Sequence, residues 1–271
     1  MVEQKQSPYD QTLFDSLFRI EERHFWFHAR RKIVGDLVTQ ITYNFPHGFR
    51  MIEIGCGTGN LLKVMTESSN EGHTYGSDIY WQGLYFAAQQ TQASLFQGDL
   101  SCLPIRDRQF HLVGLFDVLE HIQNDSEALR QMNRILTNEG FLLVNVPAHQ
   151  KLWSYFDLIS HHQRRYETSD LQKKLEQTGF RVDYITEYMQ VLYPLAYLRT
   201  KLTRRMSNVK PDNQLTRIGV LEADVSVLPI INEIAYFLLS LEFKKIRQRQ
   251  HMRHGTSILA VAQKVQDRQR D

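Results

Sequence analysis

Two cysteines in 271 residues leave no room for a disulfide framework or a cysteine-built metal cluster, since Cys56 and Cys102 stand far apart in unrelated contexts. Charge of either sign is not in excess. The 32 Lys and Arg against 30 Asp and Glu leave a net charge of +2, well short of a dedicated nucleic-acid binder. No run approaches the ~18 uninterrupted apolar residues of a membrane-spanning helix. The polar opening MVEQKQSPYD also lacks the apolar core of a secretory leader. Internal repeats, low-complexity linkers and a GxxxxGK[ST] phosphate loop are missing as well. What remains is an ordinary globular composition, 42% apolar and 23% charged, enough for one substantial core. A cytoplasmic protein is expected.

The chain is organised around Met51-Ile-Glu-Ile-Gly-Cys-Gly-Thr-Gly-Asn60. Met51, Ile52 and Ile54 favour a strand, glycines fall at 55, 57 and 59, and Leu61, Leu62 and Met65 resume at helical spacing. Strand, tight turn and helix start is a geometry in which backbone approaches a nucleotide-like ligand. Further strands are expected at His73–Asp78, Ser94–Gln97, Phe110–Phe116 and Phe141–Val146. Helices are expected at Trp81–Thr91 and Ser126–Leu136, and a turn at Thr137–Gly140. That alternation predicts an α/β protein with a largely parallel sheet and a ligand crevice at the carboxyl ends of its strands. Gly55–Gly59, Asp78, Asp99 and Asp117 all fall on such ends. Asp78 follows the last glycine by about 20 residues, where an acid can meet ribose hydroxyls; an aspartate ending a strand is otherwise a turn or helix cap.

The flanking segments are less regular. Helical spacing runs from Tyr9 to about Ile41 and is interrupted by the stretch Glu21–Lys32, which contains Phe25-Trp26-Phe27. Three consecutive aromatics cannot all face inward from one helix. They either cement the helix onto the sheet edge or roof a ligand pocket, where Arg30 or Arg31 could hold a carboxylate bidentately. Pro147–Tyr166 has no period and is dense in His, Trp, Tyr, Asp and Arg; following the fifth strand, it should hang over the crevice. A helix at Ser169–Gln177, a strand from Phe180 to Thr186 or slightly beyond, and a final strand at Ser257–Gln263 complete the pattern. Residues 190–254 form an insertion with a basic stretch (Arg199–Lys210), a turn (Pro211–Asn213), an apolar helix (Ile231–Leu241) and a second basic run (Lys244–His254). A single domain is expected, with residues 10–45 as a helical cap, 46–189 as the core, 190–254 as a lid and 255–264 as the last strand.

Asn60 stands where a dinucleotide fingerprint needs its third glycine, and GxGxG with strand-end acids better suits S-adenosylmethionine, which has no phosphates to cradle. Glu53-Ile-Gly-Cys-Gly-Thr-Gly59 resembles the first motif of class I S-adenosylmethionine-dependent methyltransferases. The likeness extends to a bacterial subgroup through HFWF (His24–Phe27) with Arg30, Leu103-Pro104, and Asp117-Val-Leu-Glu-His121. It continues in Val146-Pro-Ala148, Leu152-Trp153 with Asp157, His162-Gln-Arg-Arg-Tyr166, and Tyr193-Pro194 with Arg199. Three positions depart from the pattern: Asn138-Glu139-Gly140 replaces Pro-Gly-Gly, His111 replaces an aspartate, and Glu53 stands where Asp is also common.

The resemblance implies a Rossmann-like, doubly wound, seven-stranded and mostly parallel sheet, its last strand antiparallel between strands five and six. It also implies N-terminal helices and a helical insertion before the last strand. By the same resemblance, Gly55, Cys56, Gly57 and Gly59 lie at the methionine moiety of the cofactor. Asp78 and Ile79 lie at the ribose, and Asp99 and Leu100 at the adenine. Glu53, Phe116, Asp117 and His121 pack around the cofactor, and His24, Trp26 and Arg30 cover its methionine end. No metal is expected.

Methyl transfer is a displacement at a sulfonium. The protein must align the acceptor, which can supply ~7–11 kcal/mol in well-oriented systems, and remove a proton where the acceptor carries one. A general base adds typically about 10²–10⁴-fold. Its candidates are His149, His161, His162 and Asp157, with His162 first; the same cluster could instead anchor the acceptor or pin its own loop. His149, Trp153, Arg164, Arg165, Tyr166 and Tyr193 are candidate acceptor contacts, the arginines suiting a carboxylate or phosphate. The expected acceptor is a small molecule or natural product, partly hydrophobic, methylated on a hydroxyl or carboxylate oxygen. A lipid-linked, prenylated or peptide acceptor, an RNA, and a non-catalytic cofactor-binding role are the alternatives. The run Lys244–Arg253 is either a solvated helix face or a contact for RNA or an anionic membrane surface. The apolar helix is a lid or a dimer contact, so the chain acts as a monomer or homodimer.

Overall fold

The computed structural model describes residues 11–69, 71–203 and 229–265. The extreme N-terminal tail, the turn expected at Pro211–Asn213, most of the basic stretch before it and the polar tail lie outside the described residues. The sheet is formed by β1 (Arg50–Ile54), β2 (His73–Asp78), β3 (Ser94–Gln97), β4 (Phe110–Phe116), β5 (Leu136–Pro147), β6 (Phe180–Tyr188) and β7 (Ser257–Lys264). Among the described residues the helices are α1 (Gln11–Glu21), α2 (Phe25–Thr42), α3 (Asn60–Glu67), α4 (Trp81–Gln90) and α5 (Asp125–Ile135). They continue as α6 (Tyr155–Ile159), α7 (Thr168–Gln177), α8 (Tyr193–Thr203) and α9 (Pro229–Arg247).

Strand order is β3-β2-β1-β4-β5-β7-β6. The pairs from β3 through β5 are parallel, and β7 alone runs antiparallel, inserted between β5 and β6. The fold is therefore the doubly wound α/β sheet that the sequence implies. Strands are added on one side of β1 and then on the other, which opens a crevice at the carboxyl ends of β1 and β4.

The strands are apolar on both sides because helices cover both faces. On one face Ile52, Val113 and Leu142 pack with Leu129 and Met132 of α5 and Leu171 and Leu175 of α7. On the other, Met51, Leu112 and Leu143 pack with Ile33, Val34 and Leu37 of α2, Met65 of α3 and Leu239 of α9. Each fully buried side chain of this size contributes about 1.5–3 kcal/mol. None of the described helices is long and apolar enough to cross a membrane.

Two local outcomes differ from the sequence pattern. Thr137–Gly140 lies inside β5: Phe110 pairs with Leu136 but Leu112 pairs with Phe141, so the register jumps across these residues, and Glu139 takes φ 61°. A bulge absorbs the turn-forming residues without ending the strand. The N-terminal helical run divides at His24, whose Nδ1 accepts a hydrogen bond from Trp26 N at 3.1 Å and caps α2. Burial, helped by the charge of His28, lowers the His24 pKa to about 4 and keeps its ring neutral. Phe25 then joins the second core, Trp26 packs at its edge, and Phe27 lies edge-on to Trp26 at 4.8 Å.

Candidate functional site

β1 ends in a turn with positive φ at Gly55 (75°), Gly57 (50°) and Gly59 (87°). The three glycines are needed for different reasons. A Cβ on Gly55 would lie 2.3 Å from Val118 Cγ2, and one on Gly59 would lie 2.8 Å from Ala87 Cα. One on Gly57 would meet nothing within 4 Å, so this glycine leaves its backbone open to approach. Asp78 ties the turn to the end of β2: its Oδ2 accepts from Gly57 N at 2.7 Å and its Oδ1 from Tyr80 N at 2.8 Å. Ile79 N–H also donates to this carboxylate, which still leaves acceptor capacity for a ribose hydroxyl. Burial raises the Asp78 pKa and the backbone N–H groups oppose it. The open side of Gly57 and the acceptor capacity of Asp78 together fit S-adenosylmethionine.

The other residues expected at this cofactor lie around the same strand ends. Asp99 Oδ1 accepts from Ser101 N at 2.8 Å and from Ser101 Oγ at 2.7 Å, which fixes the turn after β3. Leu100 is buried and Ile79 is exposed. The Cys56 thiol is buried and pushed well up in pKa by that burial, so it packs as a protonated, unreactive group.

α1 and α2 close over the glycine turn. Thr58 Oγ1 donates to Glu21 Oε2, and Arg31 Nη1 donates to Asn60 Oδ1 at 2.9 Å and to the Glu21 carbonyl at 3.1 Å. Burial pushes the Glu21 carboxyl up to about 7, against the Thr58 hydrogen bond and the charges of Arg30 and Arg31. Arg30 is buried, lies 4.2 Å from the centroid of the Trp26 ring and is ion-paired with Asp117. Asp117 Oδ1 in turn accepts from Asn145 Nδ2 at 2.7 Å, and Asn145 Oδ1 accepts from Tyr188 OH at 2.7 Å. One polar chain therefore runs from α2 past the end of β4 into β5 and β6. Glu53 is buried behind it with Oε2 unpartnered, and burial pushes its carboxyl well above the usual range.

The segment after β5 centres on Asp157, which is wholly buried. Its Oδ2 accepts from Ser154 N at 2.8 Å and Ser154 Oγ at 3.1 Å; its Oδ1 meets His162 Nδ1 at 2.8 Å and Arg165 Nε at 2.7 Å. Burial alone would raise its pKa, but the His162 hydrogen bond and the Arg165 charge hold it below the usual value. Asp157 therefore orients His162 and has no oxygen left over to act as a base. The His162 ring meets that of His121 edge-on, centroids 4.8 Å apart. Burial, with a contribution from His162, lowers the His121 pKa to about 4. His161 adjoins them with φ 56°.

The remaining candidates separate from this group. Arg164 Nη1, Tyr166 OH and Lys174 Nζ all converge on Asp125 at 2.8 Å, so Arg164 and Tyr166 fasten the loop to α5. Burial and the Asp125 charge raise the Tyr166 pKa. His149 bridges Glu167 and Glu187, both at 2.9 Å, and its ring lies 5.6 Å from Tyr193. Trp153 is half-buried nearby in the chain. A separate cavity of about 410 Å³, lined by Gln40, His111, Asp183 and Arg249 among others, contains none of the candidate residues.

Sequence reasoning missed Glu21, Asn145 and Tyr188, and gave Glu120 no role of its own. Asn145 carried a usable signal, a polar residue inside the apolar run Leu142–Val146. The others become neighbours of the site only through tertiary contacts.

Comparison with known proteins agrees with this fold. A family described as a methyltransferase domain matches residues 25–185. A probable S-adenosylmethionine-dependent methyltransferase of Mycolicibacterium smegmatis is 23% identical over 168 residues, covering 60% of this chain and 62% of that protein. The malonyl-[acyl-carrier protein] O-methyltransferase of Acinetobacter baylyi is 23% identical over 191 residues, 68% of this chain and 74% of that one. The alignments span only 36%, 62% and 26% of the lengths of the first three curated relatives. Among solved structures, the Haemonchus contortus phosphoethanolamine N-methyltransferase 2, in complex with phosphomonomethylethanolamine and S-adenosylhomocysteine, superposes with a TM-score of 0.59. It is 15% identical and covers 96% of this chain and 59% of its own, a likeness of fold alone. With the family match extending over more than half of its length, the chain belongs to the methyltransferase-domain family of class I, S-adenosylmethionine-dependent proteins.

Proposed function

We propose that the chain transfers a methyl group from S-adenosylmethionine to an oxygen of a small, partly hydrophobic acceptor. The observation that carries this reading is His162, held through Nδ1 by buried Asp157 beside the loop that leaves β4. When bound, S-adenosylmethionine supplies a methyl group on a positively charged sulfur. Gly55, Gly57 and Gly59 admit its methionine end to the backbone, Asp78 holds the ribose and Asp99 the adenine edge. Trp26, Arg30, Asp117 and Phe116 wall the crevice and exclude water. His162 Nε2 takes the proton of an acceptor hydroxyl, and Asp157 stabilises the imidazolium that results. An acceptor carboxylate needs no such step, and His162 then only positions it. The name of the Acinetobacter baylyi relative, an O-methyltransferase, favours oxygen over nitrogen.

In this reading residues 1–271 act as one methyltransferase domain, capped by residues 10–45, with acceptor choice set by 190–254. One observation favours a more lipid-like acceptor: Ile234, Phe237 and Leu241 form an exposed apolar stripe on α9, and Leu195 and Leu198 of α8 are exposed as well. A prenylated or lipid-linked acceptor would make turnover detergent-sensitive, and a stripe that joins two copies would make the chain a homodimer. Release of S-adenosylhomocysteine across a panel of hydroxyl, carboxylate and amine acceptors tests the reaction. With a hydroxyl acceptor, His162→Ala lowers kcat by about 10²–10⁴-fold. Unchanged kcat with a raised KM would make His162 an anchor and not a base.

A further inference from the structure

Among the described residues, one buried carboxyl group has neither oxygen hydrogen-bonded. Glu120 lies in the one-turn helix Leu119–His121 that follows β4, is 0% exposed, and has neither carboxylate oxygen hydrogen-bonded. The nearby arginines are committed elsewhere. Arg30 is paired with Asp117, while Arg165 donates through Nε to Asp157 and through Nη1 to the Ala148 carbonyl. A buried carboxylate with no partner either stays protonated or takes up a cation, and a metal ion is one such cation.

Two imidazoles complete the surroundings. Glu120, His121 and His162 each offer one ligand atom, and these atoms all lie within 4.8 Å of one another. His162 uses Nδ1 on Asp157, which leaves Nε2 free on the other side of the ring. A metal-binding histidine is commonly oriented this way, its second nitrogen held by a carboxylate. The two rings meet edge-on, 80° between their planes. A tetrahedral ion with ligands at about 2.0–2.2 Å needs its ligand atoms roughly 3.4 Å apart, so binding would draw this cluster inward.

We propose that Glu120, His121 and His162 bind one divalent transition metal of the zinc class. Two imidazoles and one carboxylate select zinc or cobalt over magnesium and calcium, which prefer all-oxygen sites. Three protein ligands leave a coordination position open to an acceptor that presents oxygen. The site rests on the reading of this loop as the acceptor side of the crevice. In the metal-loaded protein His162 is a ligand and no longer a free base, which departs from the metal-free site expected from the sequence.

The test uses the full chain, freed of metal with a chelator, and needs no acceptor. Calorimetric titration with Zn²⁺ is expected to show one equivalent bound per chain, and Co²⁺ is expected to give visible d–d bands with the same stoichiometry. Glu120→Gln and His121→Ala each abolish this binding or weaken it at least tenfold. Asp157→Asn weakens it by about 10–100-fold through His162. His47→Ala, at a remote exposed histidine, leaves it unchanged. Should Glu120→Gln fail to fold, His121→Ala and the Co²⁺ spectrum of the unmutated chain still decide the question. No stoichiometric binding, or affinity equal in the His121→Ala and His47→Ala variants, overturns the proposal. S-adenosylhomocysteine titrated into the same samples keeps the two readings apart, since intact cofactor affinity without metal binding refutes the metal site alone.

Discussion

Gly57→Ala separates cofactor binding from folding. Gly57 sits at φ 50°, where a side chain costs about 1 kcal/mol of backbone strain. Its new methyl would touch no protein atom within 4 Å. A loss of that size lowers Tm by roughly 2 °C in a chain of this length. The backbone N–H to Asp78 is retained, so the ribose acid stays in place. The methyl instead occupies the space assigned to the cofactor, and an overpacked methyl costs about 1–3 kcal/mol. That predicts S-adenosylhomocysteine affinity weaker by roughly 5–150-fold. Gly59→Ala is the contrast: at φ 87° its methyl would fall 2.8 Å from Ala87 Cα, so strain and overlap add and the main loss is stability. The expected cost is about 2–5 kcal/mol, read as a much larger fall in Tm. Scanning calorimetry and titration calorimetry on the two variants give both numbers. Affinity within twofold of the parent in a well-folded Gly57→Ala would refute the placement of the cofactor at this turn.

Three further outcomes follow from the same contacts. Glu21 titrates near 7 in the folded chain against an ordinary value of 4.5, so its protonated form is the one the fold favours. The parent therefore loses about 3 kcal/mol of stability between pH 4.5 and just above 7. Glu21→Gln removes that slope, and parallel Tm–pH curves for parent and variant would contradict it. Arg164→Met breaks a bond to buried Asp125 and is expected to cost about 1.5–3 kcal/mol with acceptor KM unchanged; a raised KM at constant Tm would return Arg164 to the acceptor. Asp78→Ala is expected to weaken S-adenosylhomocysteine at least ~10-fold by calorimetry, through one lost charged hydrogen-bond acceptor. Unchanged affinity there would sink the ribose assignment.

Most of the fold was legible because the sheet writes itself locally. β1, β2 and β4 are short runs bounded by glycines and acids, and their order follows from the alternation with helices. The position of β7 between β5 and β6 came from the family likeness, since nothing in Ser257–Lys264 names its neighbours. Thr137–Gly140 read as a turn because its residues favour one locally, whereas pairing with β4 on both sides of the bulge and with β7 from Phe141 onward overrides that preference. At the site, the residues that end strands were visible and those that cross between elements were not. Glu21 meets Thr58, Arg31 meets Asn60, and Asp157 gathers His162 and Arg165. Spacing marked Arg164, Arg165 and Tyr166 as one group, but the fold sends Arg164 and Tyr166 to Asp125 and Arg165 to Asp157.

The antiparallel strand sets a condition on how the molecule is made. β7 is the last element of the sheet to leave the ribosome, yet it occupies an interior lane, paired along its length with β5 and β6. Its Lys264 reaches across to the carbonyls of Asn133 and Leu136 at 2.8 and 3.1 Å. Until those residues emerge, β5 and β6 each present an open edge, the kind of surface on which nascent chains pair wrongly. Such long-range closure slows folding, because distant segments must meet before either is rewarded. A chain interrupted by a stop codon shortly before Ser257 would hold the whole glycine turn and every residue of the crevice, and still be a chaperone client and not an enzyme.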